Sequence, residues 1–507
     1  MNRKDLANKI WSACDIMRRD DGTTGILEYM EQLSWLIFLK VFEDVEKREE
    51  DKALFEEKQY FPIIDLSYRW SAWSAKDDRE LERYFEEGEL RSLRQRNEHI
   101  LIAFIDTKVF PYLQSLKGSP EKERIASLFQ EIRGNRMKSP YNLRDVITLL
   151  NEFDFNNAKD SHVLSQVYEE LLLRMGREGG VAGEFYTPRP IVRLMVKIIN
   201  PKIGDRVLDP FCGSCGFIVE SFNHMRESKE ILIEDYETLQ KKTFYGQEKK
   251  PLACLIGVMN TILHGLLTPN IIRDNTLEKN IRNIPETERF DIVLTNPPFG
   301  GKEGKHIKQN FPYPSSKTEI LALQHVMKRL KRDGSCGMVI PEGILFNTSE
   351  KSFVSTKKDL IENYSLYTII SLPSGVFANV TSSGQGPKTN LLFFEKTGST
   401  KEIWYYDFAG YSEAVLGKKY TKANPVLDED LKDALEKSLK REISEWSWIA
   451  PAKEIIENGF DLTARNPNKK EEVKFRELSE ILASLGEKEE NIEKIIEELK
   501  SIIDIRR

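Results

Sequence analysis

Asn296-Pro297-Pro298-Phe299 directly follows the apolar run Phe290 to Thr295. These four residue types suit one chemical task, the activation of an exocyclic amine on a nucleobase. Such an amine is a poor nucleophile because its lone pair is delocalised into the ring. Two acceptors aimed at its protons localise that lone pair toward an incoming methyl group. Asn296 offers a side-chain carbonyl, Pro297 offers a backbone carbonyl, and the two prolines stiffen the corner. Phe299 offers a ring face for a base to stack on, worth about 1–3 kcal/mol. That is the size needed to offset much of the few kcal/mol spent in taking a base out of a duplex. Taken alone the tetrapeptide also reads as a plain turn after a strand, so the neighbouring sites decide its meaning.

A second segment, Asp209 to Phe217 (DPFCGSCGF), follows the short apolar strand Val207-Leu208. Its small residues Gly213, Ser214 and Cys215 let a ligand approach the backbone closely. Only Gly213 and Gly216 are glycine, so it is no G-x-G-x-x-G dinucleotide loop. Cys212 and Cys215 also form a C-x-x-C pair, which admits a redox or metal reading. The other cysteines, Cys14, Cys254 and Cys336, are scattered singly, so a four-cysteine metal site lacks its second pair and no metal is expected. Glu248, at the end of the next strand candidate, can accept both ribose hydroxyls of an adenosine ligand. Asp274, just after Ile271-Ile272-Arg273, is placed to reach the adenine ring. Glu184-Phe185-Tyr186-Thr187-Pro188 precedes an amphipathic helix over 191–199; Thr187 can cap that helix, and Phe185 and Tyr186 can pack against a ligand.

Three regions must position these residues. Residues 1–165 read as a helical N-terminal domain, with Leu27, Met30, Leu33, Ile37 and Val41 at three- and four-residue steps. Residues 166–425 alternate helical stretches with apolar runs at 206–209, 243–248, 290–295, 335–340, 366–372 and 390–395. That alternation implies an α/β fold with a Rossmann-like, mostly parallel sheet. Ligands on such sheets sit at the carboxyl ends of the strands, where the special residues lie. Residues 426–507 read as a charged C-terminal helical tail suited to partner docking. There Phe475, Leu478, Leu482 and Leu485 form one stripe, and Ile492, Ile495, Ile496, Leu499 and Ile502 form another.

The 507-residue chain is 40% hydrophobic and 31% charged, as in globular proteins. The apolar run Leu33 to Phe42 is interrupted by Lys40 and falls short of the roughly 20 residues a membrane span needs. Five cysteines make no disulfide framework, and Met1 to Asp5 carry no signal-peptide pattern, so a cytoplasmic setting is expected. The net charge of −6 is unusual for a chain that grips DNA unaided.

Taken in this order, the motifs resemble those of the amino-methyltransferases that modify DNA, specifically the methylation subunits of type I restriction-modification systems. G-E-F-Y-T-P-R-P at 183–190, D-P-F-C-G-S-C-G-F at 209–217, G-Q-E at 246–248, N-P-P-F at 296–299 and G-P-K-T-N-L-L-F-F at 386–394 carry the resemblance, with Trp11 and L-I-F-L-K at 36–40 toward the N-terminus. It implies that S-adenosylmethionine is the methyl donor and N6 of adenine in double-stranded DNA the acceptor. It implies donor contacts at Glu184 to Pro188, Asp209, Gly213 to Cys215 and Glu248, and a grip on the target base by Asn296, Pro297, Pro298 and Phe299. The Cys pair departs from the family's usual small residues. The resemblance further implies a separate specificity subunit that reads the sequence, a second methylation subunit and a restriction subunit, which accounts for the acidic charge. Lys302, Lys305, His306 and Lys308 form a basic loop that can meet phosphates. Cytosine N4, guanine N2 in RNA or a glutamine amide would also suit an N-P-P-aromatic site. A cofactor-binding scaffold without catalysis is the alternative of another class.

Overall fold

The computed structural model describes residues 3–55, 57, 59–130, 132, 134–153, 165–174, 186–228, 232–267, 269–378, 386–463 and 466–468, together with 489, 492 and 496. Of the sequence features above, Glu184, Phe185 and most of the C-terminal stripes lie outside the described residues. The chain divides into two compact units, Met1–Asn466 and Pro467–Arg507. In the second, residues 489, 492 and 496 are helical, and Ile492 and Ile496 are exposed.

The sheet of the first unit has nine strands: β1 (Val207–Asp209), β2 (Phe244–Glu248), β3 (Asn270–Arg273), β4 (Phe290–Thr295), β5 (Leu330–Pro341), β6 (Ser365–Ser371), β7 (Thr389–Glu395), β8 (Glu402–Asp407) and β9 (Ser447–Pro451). Their order across the sheet is β3-β2-β1-β4-β5-β7-β6-β8-β9. From β3 through β5 every neighbouring pair is parallel; β7 runs against both β5 and β6, and β9 against β8. The chain builds outward from β1 to β3, then returns to lay β4 on the other side of β1. That reversal opens a crevice between the carboxyl ends of β1 and β4. Asp209 ends β1, and Asn296 follows the last residue of β4.

The α/β expectation and the six strand segments are found here. Three strands were not among the expected set. β3 carries a half-exposed pattern, β8 follows a short turn, and β9 lies in the stretch beyond 425 read as wholly helical. β9 is bonded to the sheet because Trp448 stacks on Tyr405 of β8 at 5.3 Å and 7°. β5 also reaches back beyond 335 to Leu330, through a bulge at which Asp333 takes a φ of +62°.

The N-terminal helices pack directly on this sheet layer. The helix Ile26–Phe55 is enclosed on every side over residues 29–39, which is why its apolar residues spill beyond a single stripe. It lies against the helix Pro251–Leu263. Ser34 Oγ meets the Tyr168 hydroxyl at 2.8 Å, and Arg124 donates to Asn270 Oδ1 on β3 at 2.9 Å. Glu46, buried in this bundle, accepts the Ile63 amide at 2.6 Å and faces Arg69 at 3.4 Å, so its charge is compensated. Among the described residues no helix is long and apolar enough to cross a membrane.

Candidate functional site

Glu248 sits at the carboxyl end of β2, level with the loop after β1. Its Oε2 accepts the Gly213 amide at 3.0 Å and its Oε1 accepts the Lys250 amide at 2.8 Å. Burial pushes its carboxyl above the ordinary range. Each oxygen keeps a second lone pair for a hydroxyl donor. Gly246, two residues earlier, has no room for a side chain: a Cβ there would lie 3.0 Å from Cys212 Sγ and 3.0 Å from Ile218 Cδ1. The glycine lets the β1 loop close onto β2.

Asp274 follows β3, and its amide donates to the Glu248 carbonyl at 3.0 Å. Its Oδ2 accepts Gln247 Nε2 at 3.1 Å. Gln247 Oε1 in turn accepts the Thr276 hydroxyl at 2.9 Å, and Thr276 Oγ1 lies 2.9 Å from His325 Nε2. A hydroxyl has one proton to give, and Thr276 gives it to Gln247, so His325 donates through Nε2. Burial drives the His325 imidazole well below its ordinary value and keeps it neutral. Sequence reasoning missed Gln247, Thr276 and His325 as a group that holds Asp274; only their burial together reveals it.

Asp209 is 2% exposed. Its Oδ1 accepts the Thr295 hydroxyl at 2.6 Å and the Phe211 amide at 3.1 Å. Burial pushes its carboxyl up to about 7. The neighbouring Cys215 thiol, together with burial, raises Cys212 well above the ordinary thiol range. All five cysteines are unpaired and buried. Cys215 takes a φ of +58° and points toward the helix Pro251–Leu263, so it is a packing residue rather than part of the open surface. No group of three or more His, Cys, Asp or Glu among the described residues could hold a metal ion.

Asn296 Nδ2 donates to Thr187 Oγ1 at 3.0 Å. Thr187 therefore does not cap the following helix, which starts after Pro188 without a side-chain cap. Holding the amide nitrogen leaves Asn296 Oδ1 buried and without a hydrogen-bond partner. An acceptor in that state carries a cost of about 1–3 kcal/mol until a donor arrives. Pro297 is buried, Pro298 is exposed, and Phe299 stands edge-on to Phe377 at 5.8 Å. Tyr186 is buried beneath the Arg189 guanidinium, 5.2 Å from its ring centre.

Two recesses meet at Asn296. The larger, about 300 Å³, is lined by Phe211, Gly213, Glu248, Asp274, Asn296 and Pro298 among others. The smaller is lined by Thr187, Arg189, Asp209, Gly213, Ser214 and Asn296 among others. The expected residues thus divide into a larger compartment that holds Glu248 and Asp274 at the ends of β2 and β3, a narrow polar recess beside the β1 loop, and an amide at their junction. The larger compartment is of the size that takes a nucleoside-sized ligand.

The N-6 DNA Methylase family matches residues 159–475. This chain belongs to the N-6 DNA methylase family. It is a type I restriction-modification methylase subunit, an N6-adenine DNA methyltransferase with S-adenosylmethionine as its donor. The HsdM N-terminal domain matches residues 6–150. The methylase subunit of the type I restriction enzyme EcoEI from Escherichia coli is 34% identical over 98% of this chain and 97% of its own length. The EcoKI methylase subunit of Escherichia coli K12 is 27% identical over 85% of this chain and 75% of its own length. A solved structure from work on complex assembly and conformational transition of the type I R-M system is 45% identical. It has a TM-score of 0.79 with complete coverage of both chains. The orphaned Asn296 acceptor and the larger recess, with Glu248 and Asp274 in its wall, fit such a donor, which supplies an electrophilic methyl group when bound.

Proposed function

We propose that Asn296 Oδ1 and the Pro297 carbonyl receive the two amine protons of a target adenine turned out of the duplex, with Phe299 as its stacking face. Glu248 and Asp274 hold the adenosine end of the donor, and the loop Gly213 to Cys215 passes close beneath it. Asn296 lies where the two recesses join, so the amine it grips faces the reacting carbon. The single observation that carries this reading is the buried Asn296 oxygen with no partner, fixed in direction by the Thr187 hydroxyl. A preset acceptor needs no reorganisation at the moment of transfer, which is where such groups give most of their acceleration. Pro298 closes the corner from the solvent side.

The wider assembly follows from the family, and it accounts for the acidic charge. The chain acts in the cytoplasm on double-stranded DNA, beside a second copy of itself, a specificity subunit that reads the sequence and a restriction subunit that cuts. Residues 1–165, and the C-terminal residues beyond the last strand of the sheet, serve as docking regions for these partners. The exposed Lys302, Lys305 and His306, with the half-buried Lys308, meet backbone phosphates next to the target base.

Asn296→Ala tests the site. It is expected to lower methyl transfer by on the order of a hundredfold or more, with donor binding by calorimetry still measurable. Undiminished turnover would refute the role given to Asn296. Tritiated-donor labelling recovered in cytosine or in protein would refute the adenine assignment.

A further inference from the structure

Parallel sheets are normally covered on both faces. Between β3 and β4 the chain supplies no covering helix; the connection makes three single turns, at 276–278, 281–283 and 286–288. One face of β1, β2 and β3 carries a pocket of about 440 Å³ there. Leu208 and the half-buried Tyr245 line it, with Ile272, which is 44% exposed. Arg124 of the helix Pro120–Phe129 bounds it beside β3, and Phe290 and Arg329 bound it beside β4. Of its lining only Gln247 is shared with the larger recess at the strand ends.

Arg329 ends the helix Thr318–Arg329 and is 5% exposed. Its Nε and Nη1 are buried without a hydrogen-bond partner. Its guanidinium lies over the Phe290 ring, 5.2 Å from the centre, and the Arg206 guanidinium lies over the same ring at 4.6 Å. Nearby carboxylates are engaged elsewhere: Glu121 with Arg124 at 3.1 Å, Glu288 with Lys279, and Asp291 with Lys331 at 2.8 Å. Burial pulls Arg329 down to about 10, the Arg206 charge adding to this and Asp274 opposing it, so at neutral pH it is still a cation. The polar side chains beside it are spent. Asn270 accepts from Arg124 at 2.9 Å and donates to the Lys241 carbonyl at 2.9 Å, and Gln247 is bonded to Asp274 and Thr276. A buried cation in this state is costly until an anion pairs with it.

We propose that this pocket on the sheet face binds an organic oxyanion, a carboxylate or phosphate on a flat apolar body, with Arg329 receiving the oxyanion and Tyr245 and Ile272 lying against the apolar part. It is a second ligand site, apart from the one that takes the methyl donor. Two oxygens of a carboxylate or phosphate match the fork of a guanidinium. Arg206, anchored by the Thr287 and Arg289 carbonyls at 3.0 and 3.1 Å, adds a second positive charge close by. An apolar lining with one convergent charged group is the make-up of small-molecule sites, and the volume is in their range.

The test is calorimetric titration of the full chain with naphthoate and with naphthyl phosphate, naphthol being the neutral control. S-adenosylhomocysteine is kept in excess so that the donor site is filled. At least one anion is expected to bind about tenfold to a hundredfold tighter than naphthol, and the tighter of the two identifies the head group. Arg329→Met should erase most of that preference. Because it replaces an unpaired buried cation with an apolar chain, its midpoint in denaturant should rise rather than fall. Ile272→Asp, at an exposed position, is the second variant; its charge on the rim should weaken anion binding by about fivefold. Anions that bind no better than naphthol would overturn the proposal, as would a preference that survives in Arg329→Met. If Arg329→Met does not fold, unchanged anion affinity in Ile272→Asp would overturn it and a weakened affinity would support it.

Discussion

Asp209 is the residue whose environment makes the sharpest statement about pH. Its carboxyl is raised from 3.8 to about 7, by burial first and with the Glu248 charge also raising it, against the lowering effect of the Thr295 and Phe211 bonds. The folded pKa exceeds the unfolded one, so the fold binds a proton that the unfolded chain has given up. Through this group the unliganded protein loses stability as pH rises between about 4 and about 7, the reverse of a salt-bridged aspartate. The methyl donor is cationic at its ammonium and its sulfonium, so its binding favours the ionised carboxyl, and donor affinity should weaken about tenfold per pH unit below about 7 and level off above it. Calorimetry of donor binding from pH 5.5 to 8.5 measures this, and a flat profile would separate Asp209 from the ammonium. Asp209→Asn should remove the dependence in the melts and in the titrations. At this scale the sequence already marked Asp209, Glu248 and Asn296, because each sits at the end of an apolar strand. It did not mark His325 for a role at the site. A lone histidine inside a helix reads as an ordinary solvated residue, and only the fold encloses it.

The loop Gly213 to Cys215 owes its shape to the helix behind it. Gly257, in the middle of the helix Pro251–Leu263, is where the two touch. A Cβ there would lie 2.6 Å from Cys215 Sγ and 2.6 Å from the Gly213 carbonyl. Asn260, one turn on, donates to the Ser214 carbonyl at 2.8 Å and ties the loop down. Gly257→Ala would gain about 1 kcal/mol in helix propensity. The clash with backbone outweighs this, and a net loss of roughly 1–3 kcal/mol is expected from overpacking. Because Gly213 donates to Glu248, the displaced loop should also weaken donor binding. A lower midpoint in denaturant with reduced donor affinity is the expected pair of results; a more stable variant would show that the contact yields easily. Helix–loop contacts of this kind are not legible in sequence, where Gly257 looks like a weak point in an apolar helix. The same limit hid β3, β8 and β9. Strand pairing depends on context that local alternation carries only weakly. Among the legible strands, β5, β6 and β7 are longer than any of these three, and β1, β2 and β4 run straight into the site motifs.

On the scale of the whole molecule, the fold places a methyl-transfer site on a chain with net charge −6. Phosphate neutralisation provides most of the affinity of DNA-binding proteins, and here the exposed basic residues near the site are few. Lys302, Lys305 and His306 follow the N-P-P-F corner closely, and Lys302 also lines the larger recess. Such a small cluster can orient a duplex locally without holding it against the repulsion of the rest of the surface. The isolated chain is therefore expected to bind duplex DNA weakly, with the logarithm of the affinity falling steeply and linearly against the logarithm of salt. Lys302→Ala should flatten that slope by about one unit, because one phosphate contact is lost. A partner that contributes its own base contacts should tighten binding while leaving the contribution of Lys302 in place, since positioning contacts and sequence readout are separable. Fluorescence anisotropy across a salt series, with and without such a subunit, checks all three statements. Tight and sequence-selective binding by the chain alone would mean that a recognition surface exists on it, and the division of labour between catalysis and reading would have to be abandoned.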